Sequence, residues 1–450
     1  MIQTFVNAWK VQELRRKILF TLMIILLYRI GANLFIPYIN IDEVARYSSF
    51  LNDGIFGMLS TMSGGAFSQG TFFALGVSPY ITASIVIQLL SIAIPALERL
   101  SKDEDGKKKL SAATRWVTVA LAIITAYGYV NILASQVNED TDKRIYLTVQ
   151  KGDSTNVLAW FVMVACLCAG ASIIMWLAEK INEHGIGNGI SMILFANIIS
   201  GLTGNVRGTI NMMKEFGDWK TGWALVGGII GVIFSIALTL AAIVFIVWFT
   251  NSERRIKVIY AKKVVGRKTY GGQKTNLPLK MNMAGVMPVI FASSIVSIPA
   301  TIAAFLPSDS KFVEFVKNWL GETSPIYIIV FIALVVAFSY FYIAISFNPV
   351  EVANNIRSNG GAIIGIRPQE MAPFIKKILN RVTLMGAIFL VVIAGAPMIV
   401  NAIMSLIPNA DFESVAFTGT SLLIAVGVAL ETVRDLEAQL SMRNYKGFLD

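Results

Sequence analysis

Apolar positions along the chain gather into ten long runs, and most polar and charged residues fall in the segments between them. The runs are Ile18–Ile36, Phe72–Leu97, Trp116–Leu133, Val157–Leu177, Ile190–Leu202, Trp223–Phe249, Met283–Leu306, Ile326–Phe347, Val382–Ile403 and Val415–Val433. A hydrocarbon core about 30 Å thick takes about 20 helical residues to cross. The pattern therefore predicts an all-α polytopic membrane protein of ten transmembrane helices, the fifth being the shortest. One further stretch breaks the rhythm. Residues Ile55–Phe67, IFGMLSTMSGGAF, are apolar, rich in small side chains, uncharged and, at 13 residues, too short to cross. They suggest a short re-entrant helix buried within the protein. The alternative is an interfacial surface helix, which the absence of any Lys or Arg to anchor a polar face disfavours.

Composition agrees with this pattern. Hydrophobic residues make up 55% and charged ones 15% of the 450, against roughly 45–50% and ~25% in soluble domains, and the mean hydropathy is +0.65. An ordinary soluble enzyme is excluded. The 35 Gly and 13 Pro suit packed membrane helices, where neighbours re-satisfy freed backbone groups. Net charge is +10, and its distribution sets the topology: of the 38 Lys and Arg, 28 lie in alternate segments beginning with the N-terminus and 9 in the others. The positive-inside bias then places both ends in the cytoplasm. Lys10, Arg15, Arg16 and Lys17 precede the first run as in a signal peptide, but the run is too long and no small-residue cleavage site follows, so a retained helix is expected.

The second and seventh runs carry an internal repeat. Gly76-Val77-Ser78-Pro79-Tyr80-Ile81-Thr82-Ala83-Ser84 matches Gly285-Val286-Met287-Pro288-Val289-Ile290-Phe291-Ala292-Ser293 at six of nine positions with a constant offset of 209. The two are five apart in order, an odd number, so they cross the membrane in opposite directions. That is the signature of two inverted five-helix halves with a pathway between them. The halves are 1–205, with the short helix at about 55–67, and 206–450. Pro79 and Pro288 are expected to bend or break their helices.

Ionisable groups at membrane depth, which ion-coupled transport and intramembrane catalysis require, are nearly absent. Arg29 is the only charge well inside a run, while Glu98, Glu179, Glu431 and Arg434 sit at cytoplasmic ends. Arg29 reads as structural, bonded to backbone carbonyls or reaching toward the outer interface. His184 is the single histidine, and Cys166 and Cys168 read as packing residues, so no metal site, cofactor or catalytic residue is expected. A pathway lined by Ile and Leu cannot coordinate ions; it seals at rest and conforms to a bulky or unfolded passenger. The cytoplasmic segment Asn251–Lys280 holds nine basic residues and one acidic, Glu253. Its partly alternating Arg254–Tyr260 stretch and a turn at Gly271-Gly272 predict a projecting β-ribbon, with RNA phosphate, acidic protein or anionic lipid as candidate partners. Arg255 and Arg367 could clamp phosphate or carboxylate bidentately.

Six segments closely resemble the bacterial SecY family of Sec translocon channel subunits. They are FALGVSPYITASIVIQLL (Phe73–Leu90), GIGNGISMILFA (Gly185–Ala196), ERRIKVIYAKKVVGRKTYGGQ (Glu253–Gln273), MNMAGVMPVIFASSI (Met281–Ile295), IRPQE (Ile366–Glu370) and GTSLLIAVGVALE (Gly419–Glu431). The resemblance implies an hourglass channel in the bacterial cytoplasmic membrane that conducts unfolded secretory polypeptides and releases transmembrane segments sideways into lipid. By that resemblance, Ile81, Ile85, Ile190, Leu194, Ile290 and Ile424 form the pore ring. Ile55, Phe56, Met58, Leu59, Met62 and Phe67 belong to a plug, and Asn188 matches a polar position of the fifth-span motif on the pore side. The lateral gate lies between the second and third spans and the seventh and eighth. Arg254, Arg255, Gly271, Gly272 and Arg367, in docking loops at about 251–281 and 348–381, match the surface used by the motor ATPase SecA and the ribosome, rRNA included. Implied partners are the SecE and SecG subunits, signal peptides, nascent membrane proteins and the lipid bilayer, and a homodimer is among the assemblies the resemblance admits.

Two features depart from the family. Lys257 stands where Pro is usual, which should make the start of the ribbon less rigid, and the outer loop Ser135–Asn156 is polar and longer than expected. Two rival classes are weighed against the channel: an inverted-repeat secondary transporter, which needs a polar or ion-binding midplane, and an intramembrane enzyme, which needs acid pairs or more than one histidine.

Overall fold

The computed structural model describes residues 2–41, 43–44, 60, 62–135, 137–138, 143–144, 147–148, 156–201, 222–260, 262–265, 268–271, 274–303, 306, 310–321, 324–404 and 419–446. Helices in chain order are α1 (Ile2–Lys10), α2 (Gln12–Gly31), α3 (Ala66–Gln69), α4 (Ser78–Ala93), α5 (Pro95–Lys102), α6 (Glu104–Ser135), α7 (Asn156–His184), α8 (Gly189–Gly201), α9 (Gly222–Asn251), α10 (Met287–Ala303), α11 (Lys311–Trp319), α12 (Pro325–Ser346), α13 (Pro349–Ser358), α14 (Met371–Met404) and α15 (Gly419–Lys446). Each apolar run falls on a helix: α2, the α4–α5 pair, α6, α7, α8, α9, α10, α12, α14 and α15. Among the described residues, 105–134, 157–184, 325–358 and 371–396 are long and apolar enough to cross a membrane unaided, and the α4–α5 pair makes a fifth if it is one span.

That pair corrects the expectation of a continuous second span from Phe72 to Leu97. Residues 71–77 form turns, α4 starts at Ser78, and Ile94 adopts φ −109°, ψ 113° before α5 leaves at 111° to α4. The cause is Pro95, whose ring excludes the α conformation at the preceding residue. The expected bends at Pro79 and Pro288 are also corrected. Each proline is the second residue of its helix, α4 and α10, where the missing N–H would have had no intrahelical acceptor anyway. The repeated glycines explain why both helices start there: Gly76 (φ +55°) and Gly285 (φ +64°) occupy the left-handed region that a Cβ disfavours. The repeat is therefore a repeated turn-and-start, Gly-x-x-Pro.

Two apolar clusters dominate the helical body. The larger draws Tyr28 from α2, Ile81 from α4, Ile181 from α7, Leu194 from α8, Ile290 from α10, Phe331 from α12, Leu390 from α14 and Leu423 from α15. Its contributors come from both ends of the chain, so it welds the two parts together. The smaller lies within the N-terminal part, between α6 (Ala126, Tyr129, Leu133), α7 (Met163, Leu167) and Phe67 of α3, with half-buried Cys166 and Cys168 against it. Polar ties join helix ends: Arg115 Nε donates to Glu179 Oε1 (2.8 Å), and Arg434 Nη2 donates to the Thr250 carbonyl (2.8 Å) and Asn251 Oδ1 (2.9 Å).

Candidate functional site

The expected ring residues lie on four helices that all contribute to the larger cluster. Ile81 and Ile85 on α4, Leu194 on α8, Ile290 on α10 and Ile424 on α15 are buried members of the large cluster, and half-buried Ile190 packs against it. Two of the four are the helices that begin with the repeated Gly-x-x-Pro turn, so corresponding starts set Ile81 and Ile290 at corresponding depths, each two residues past the proline. Side chains of this kind offer only dispersion and exclusion of water, with no ligand for an ion.

The entry to α8 is built by the motif Gly185-Ile186-Gly187-Asn188-Gly189. Gly187 turns the chain at φ +74°. Asn188 Oδ1 accepts the backbone N–H of Ile190 (3.1 Å) and Ser191 (3.5 Å), the geometry of a helix N-cap. Its polarity thus serves the backbone. Gly189 donates its N–H to Asn182 Oδ1 (2.7 Å), and a Cβ there would lie 2.0 Å from the Ala178 carbonyl oxygen, so α8 packs directly on the backbone of α7. These contacts fix the depth of Ile190 and Leu194.

Of the expected plug residues, Ile55, Phe56, Met58 and Leu59 lie outside the described residues. Met62 packs against the large cluster beside the ring, whereas Phe67 belongs to the second cluster. Between them Gly64 (φ +66°) and Gly65 (φ +85°) reverse the chain. Phe67 is held from two sides: its N–H donates to Ser63 Oγ (3.0 Å), and its carbonyl accepts from Tyr129 Oη (2.6 Å). Ser63 sits over the first repeated turn, since a Cβ at Gly76 would come 3.4 Å from Ser63 Cβ, while one at Gly285 would meet nothing within 4 Å. A cavity of about 50 Å³, bordered by Met62, Phe67, Gly76, Pro79 and Leu194, separates the segment from the start of α4. That is room for water, so the segment is seated there without being fused to α4.

Arg29 is placed differently from expectation. Its guanidinium bonds side chains of α8, Asn197 and Ser200, instead of backbone carbonyls. Asn197 and Ser200 were not singled out from sequence, although a polar pair within an apolar run is a readable signal.

After α6, β1 (Val137–Asn138) pairs antiparallel with β2 (Lys143–Arg144); on the polar side, β3 (Glu253–Tyr260) pairs antiparallel with β6 (Lys274–Lys280), and β4 (Lys262–Val265) with β5 (Lys268–Gly271). One register runs through both ladders, Glu253↔Lys280 at the base and Val265↔Lys268 at the far end. The described ladder ends at Val265↔Lys268, and 266–267 lie outside the described residues. This corrects the turn expected at Gly271-Gly272: Gly271 is a strand residue opposite Lys262, and Gly272 lies outside the described residues. A two-residue connection is what an unshifted register demands.

A third strand, β7 (Gly361–Ile363), joins the other edge of β3 through Val258↔Ile363. One sheet thus unites the basic ribbon with the segment between α13 and α14. Ile256, Val258, Leu279 and Ile363 form its inner face against Ala353 and Ile356 of α13 and Met371 and Ile375 of α14. Arg254, Arg255 and Lys257 stay exposed on the same ribbon, and Arg367, four residues past β7, is exposed beside it. Arg255 Nε donates to Glu253 Oε1 (2.5 Å), and burial, with Arg434 nearby, pushes Lys280 below the usual lysine range. Lys257 sits in the central strand, opposite Asn276. At this position β3 pairs with β6 alone, the β7 pairing covering only Val258–Tyr260, and Lys257, unlike a proline, keeps a backbone N–H on the strand.

Long apolar helices packed around one large apolar core, with a basic sheet at their polar ends, fit a multi-pass membrane protein without an ion-binding or catalytic centre among the described residues. Comparison with known proteins narrows that class. The family pattern named SecY matches residues 71–433. The protein translocase subunit SecY of Streptomyces galbus is 41% identical over 455 residues, spanning 100% of both chains. Among solved structures, one described as a protein conducting channel superposes with TM-score 0.64 at 18% identity over 94% of this chain and 92% of the other. Another, a SecY protein whose plug domain is described as stabilising the closed state and maintaining a membrane seal, gives 0.59 at 18% over the same shares. The channel of a canine ribosome–channel complex from the endoplasmic reticulum gives 0.60 at 16%, again over 94% and 92%. The chain belongs to the SecY family, and it is a protein-conducting translocation channel, not an enzyme.

Proposed function

We propose that unfolded polypeptide passes between the N-terminal half, 1–205, and the C-terminal half, 206–450, through the ring of Ile81, Ile85, Ile190, Leu194, Ile290 and Ile424. The observation that carries this is the burial of residues from α4, α8, α10 and α15 in one cluster free of charge, with Met62 of the plug segment packed against it. At rest the apolar ring dewets and the plug covers it; a passenger parts the helices, and the side chains close around it without selecting a sequence. The contacts of α10 with α4 and α6 support a lateral gate at that seam, through which apolar segments leave for lipid.

On the cytoplasmic side, the three-stranded sheet presents Arg254, Arg255 and Arg367 to SecA or to the ribosome, whose phosphates and carboxylates guanidinium groups clamp well. The canine relative bound to a ribosome supports that orientation. SecE and SecG complete the assembly in a bacterial cytoplasmic membrane, with both termini cytoplasmic.

The test introduces single cysteines at Ile81 and Ile290 in a Cys166→Ser, Cys168→Ser background and probes crosslinking to a stalled secretory polypeptide. Crosslinks at both positions that require SecA or the ribosome are expected. Their absence at both, with the complex assembled and the docking partner bound, removes the ring assignment.

A further inference from the structure

Arg29 is the one charge well inside the apolar runs, and its surroundings connect it to the plug. The guanidinium donates through Nη1 to Asn197 Oδ1 (3.5 Å) and through Nη2 to Ser200 Oγ. Asn197 is fully buried and directs its amide nitrogen the other way, donating from Nδ2 to the Met62 carbonyl (2.9 Å). Two residues on, Gly64 lies flat against the same pair: a Cβ there would sit 3.0 Å from Arg29 Nη1 and 3.0 Å from Asn197 Cα. The exit of the plug segment is thus both hydrogen-bonded to and in van der Waals contact with one polar cluster.

We propose that Arg29 and Asn197 form a latch that holds the plug in its closed seat, with Arg29 a positioning residue that acts through Asn197. The inference rests on the plug reading above and adds the groups that set its release. A cation at membrane depth must find acceptors, and two neutral side chains of α8 supply them. Because the cation draws electron density toward Asn197 Oδ1, the opposite amide N–H becomes a better donor to Met62. Within this cluster, opening breaks the Asn197–Met62 bond and lifts Gly64 away. The Arg29–Asn197–Ser200 contacts join α2 to α8 and remain, so the latch re-forms when the plug returns.

A simple brace between α2 and α8 would use the same residues, and Asn197→Asp separates the two roles. The carboxylate keeps the acceptor facing Arg29, strengthening the brace, but has no N–H for Met62. Resting ion conductance of the purified channel complex in planar bilayers is the readout, with thermal unfolding alongside. The latch predicts a resting open time raised on the order of tenfold in Asn197→Asp and Asn197→Ala, since one hydrogen bond in a charge-linked network is lost. The unfolding temperature of Asn197→Asp should not fall, and Arg29→Gln should add nothing to Asn197→Ala. Deletion of residues 60–65 serves as the plug control. A leak from the deletion with wild-type conductance in Asn197→Asp overturns the latch and leaves the plug reading standing; wild-type conductance in both overturns the two together. Leakage in Asn197→Ala and Ser200→Ala but not in Asn197→Asp assigns a brace and also overturns the latch.

Discussion

Replacing Gly189 with alanine tests how the constriction is held in depth. The added Cβ would lie 2.0 Å from the Ala178 carbonyl oxygen, 2.7 Å from its carbon and 2.9 Å from its Cα, all backbone atoms inside α7. An ordinary contact begins at 3.4 Å, so the first turn of α8 must retreat by more than 1 Å. Asn182, whose Oδ1 holds the Gly189 N–H at 2.7 Å, opposes that movement. Overpacking of this kind costs about 1–3 kcal/mol, and the better helix propensity of alanine returns at most about 1 kcal/mol. Gly201, near the other end of the same helix, is an internal control: a Cβ there meets nothing within 4 Å, so Gly201→Ala should be neutral or slightly stabilising. Thermal unfolding of the two purified variants should therefore differ by a few degrees, with Gly189→Ala the lower. Its resting conductance should also rise, because Ile190 and Leu194 move with the helix. An unfolding temperature for Gly189→Ala equal to or above that of Gly201→Ala would refute the argument that backbone contact sets the position of α8.

Two further outcomes are expected. Asn188→Ala should lose about 1 kcal/mol as its two capping bonds disappear, while Asn188→Asp should retain most of it; equal unfolding temperatures for wild type and Asn188→Ala would show that the cap contributes nothing. Ile256→Ala opens a hole in the core of the three-stranded sheet, a change worth about 2–5 kcal/mol. Hydrogen exchange across 253–260 and 361–363 should quicken while resting conductance stays unchanged, and unaltered exchange would deny that the two loops share a core.

The apolar helices were legible because hydrocarbon imposes one demand, apolarity over a fixed length, on every residue that faces it. The repeat was legible too, since Gly76 and Gly285 need the same conformation and Pro79 and Pro288 start the same kind of helix. Strand character at 253–260 showed in its alternation. Other features depend on partners remote in sequence. Pairing of β3 with β7 is made by backbone groups about 100 residues apart, which no side-chain pattern announces in a strand of three residues. The hairpin tip is set by register along the whole ribbon, so Gly271-Gly272, a plausible turn taken locally, became strand. Arg29 was conspicuous as a lone charge, but its acceptors lie on α8, 168 and 171 residues away, and only packing of α2 against that helix selects them. Side-chain chemistry along the chain thus determined what must face lipid and where helices begin. Tertiary structure decided which apolar residues share a core and which polar groups meet, because those depend on the approach of distant backbones.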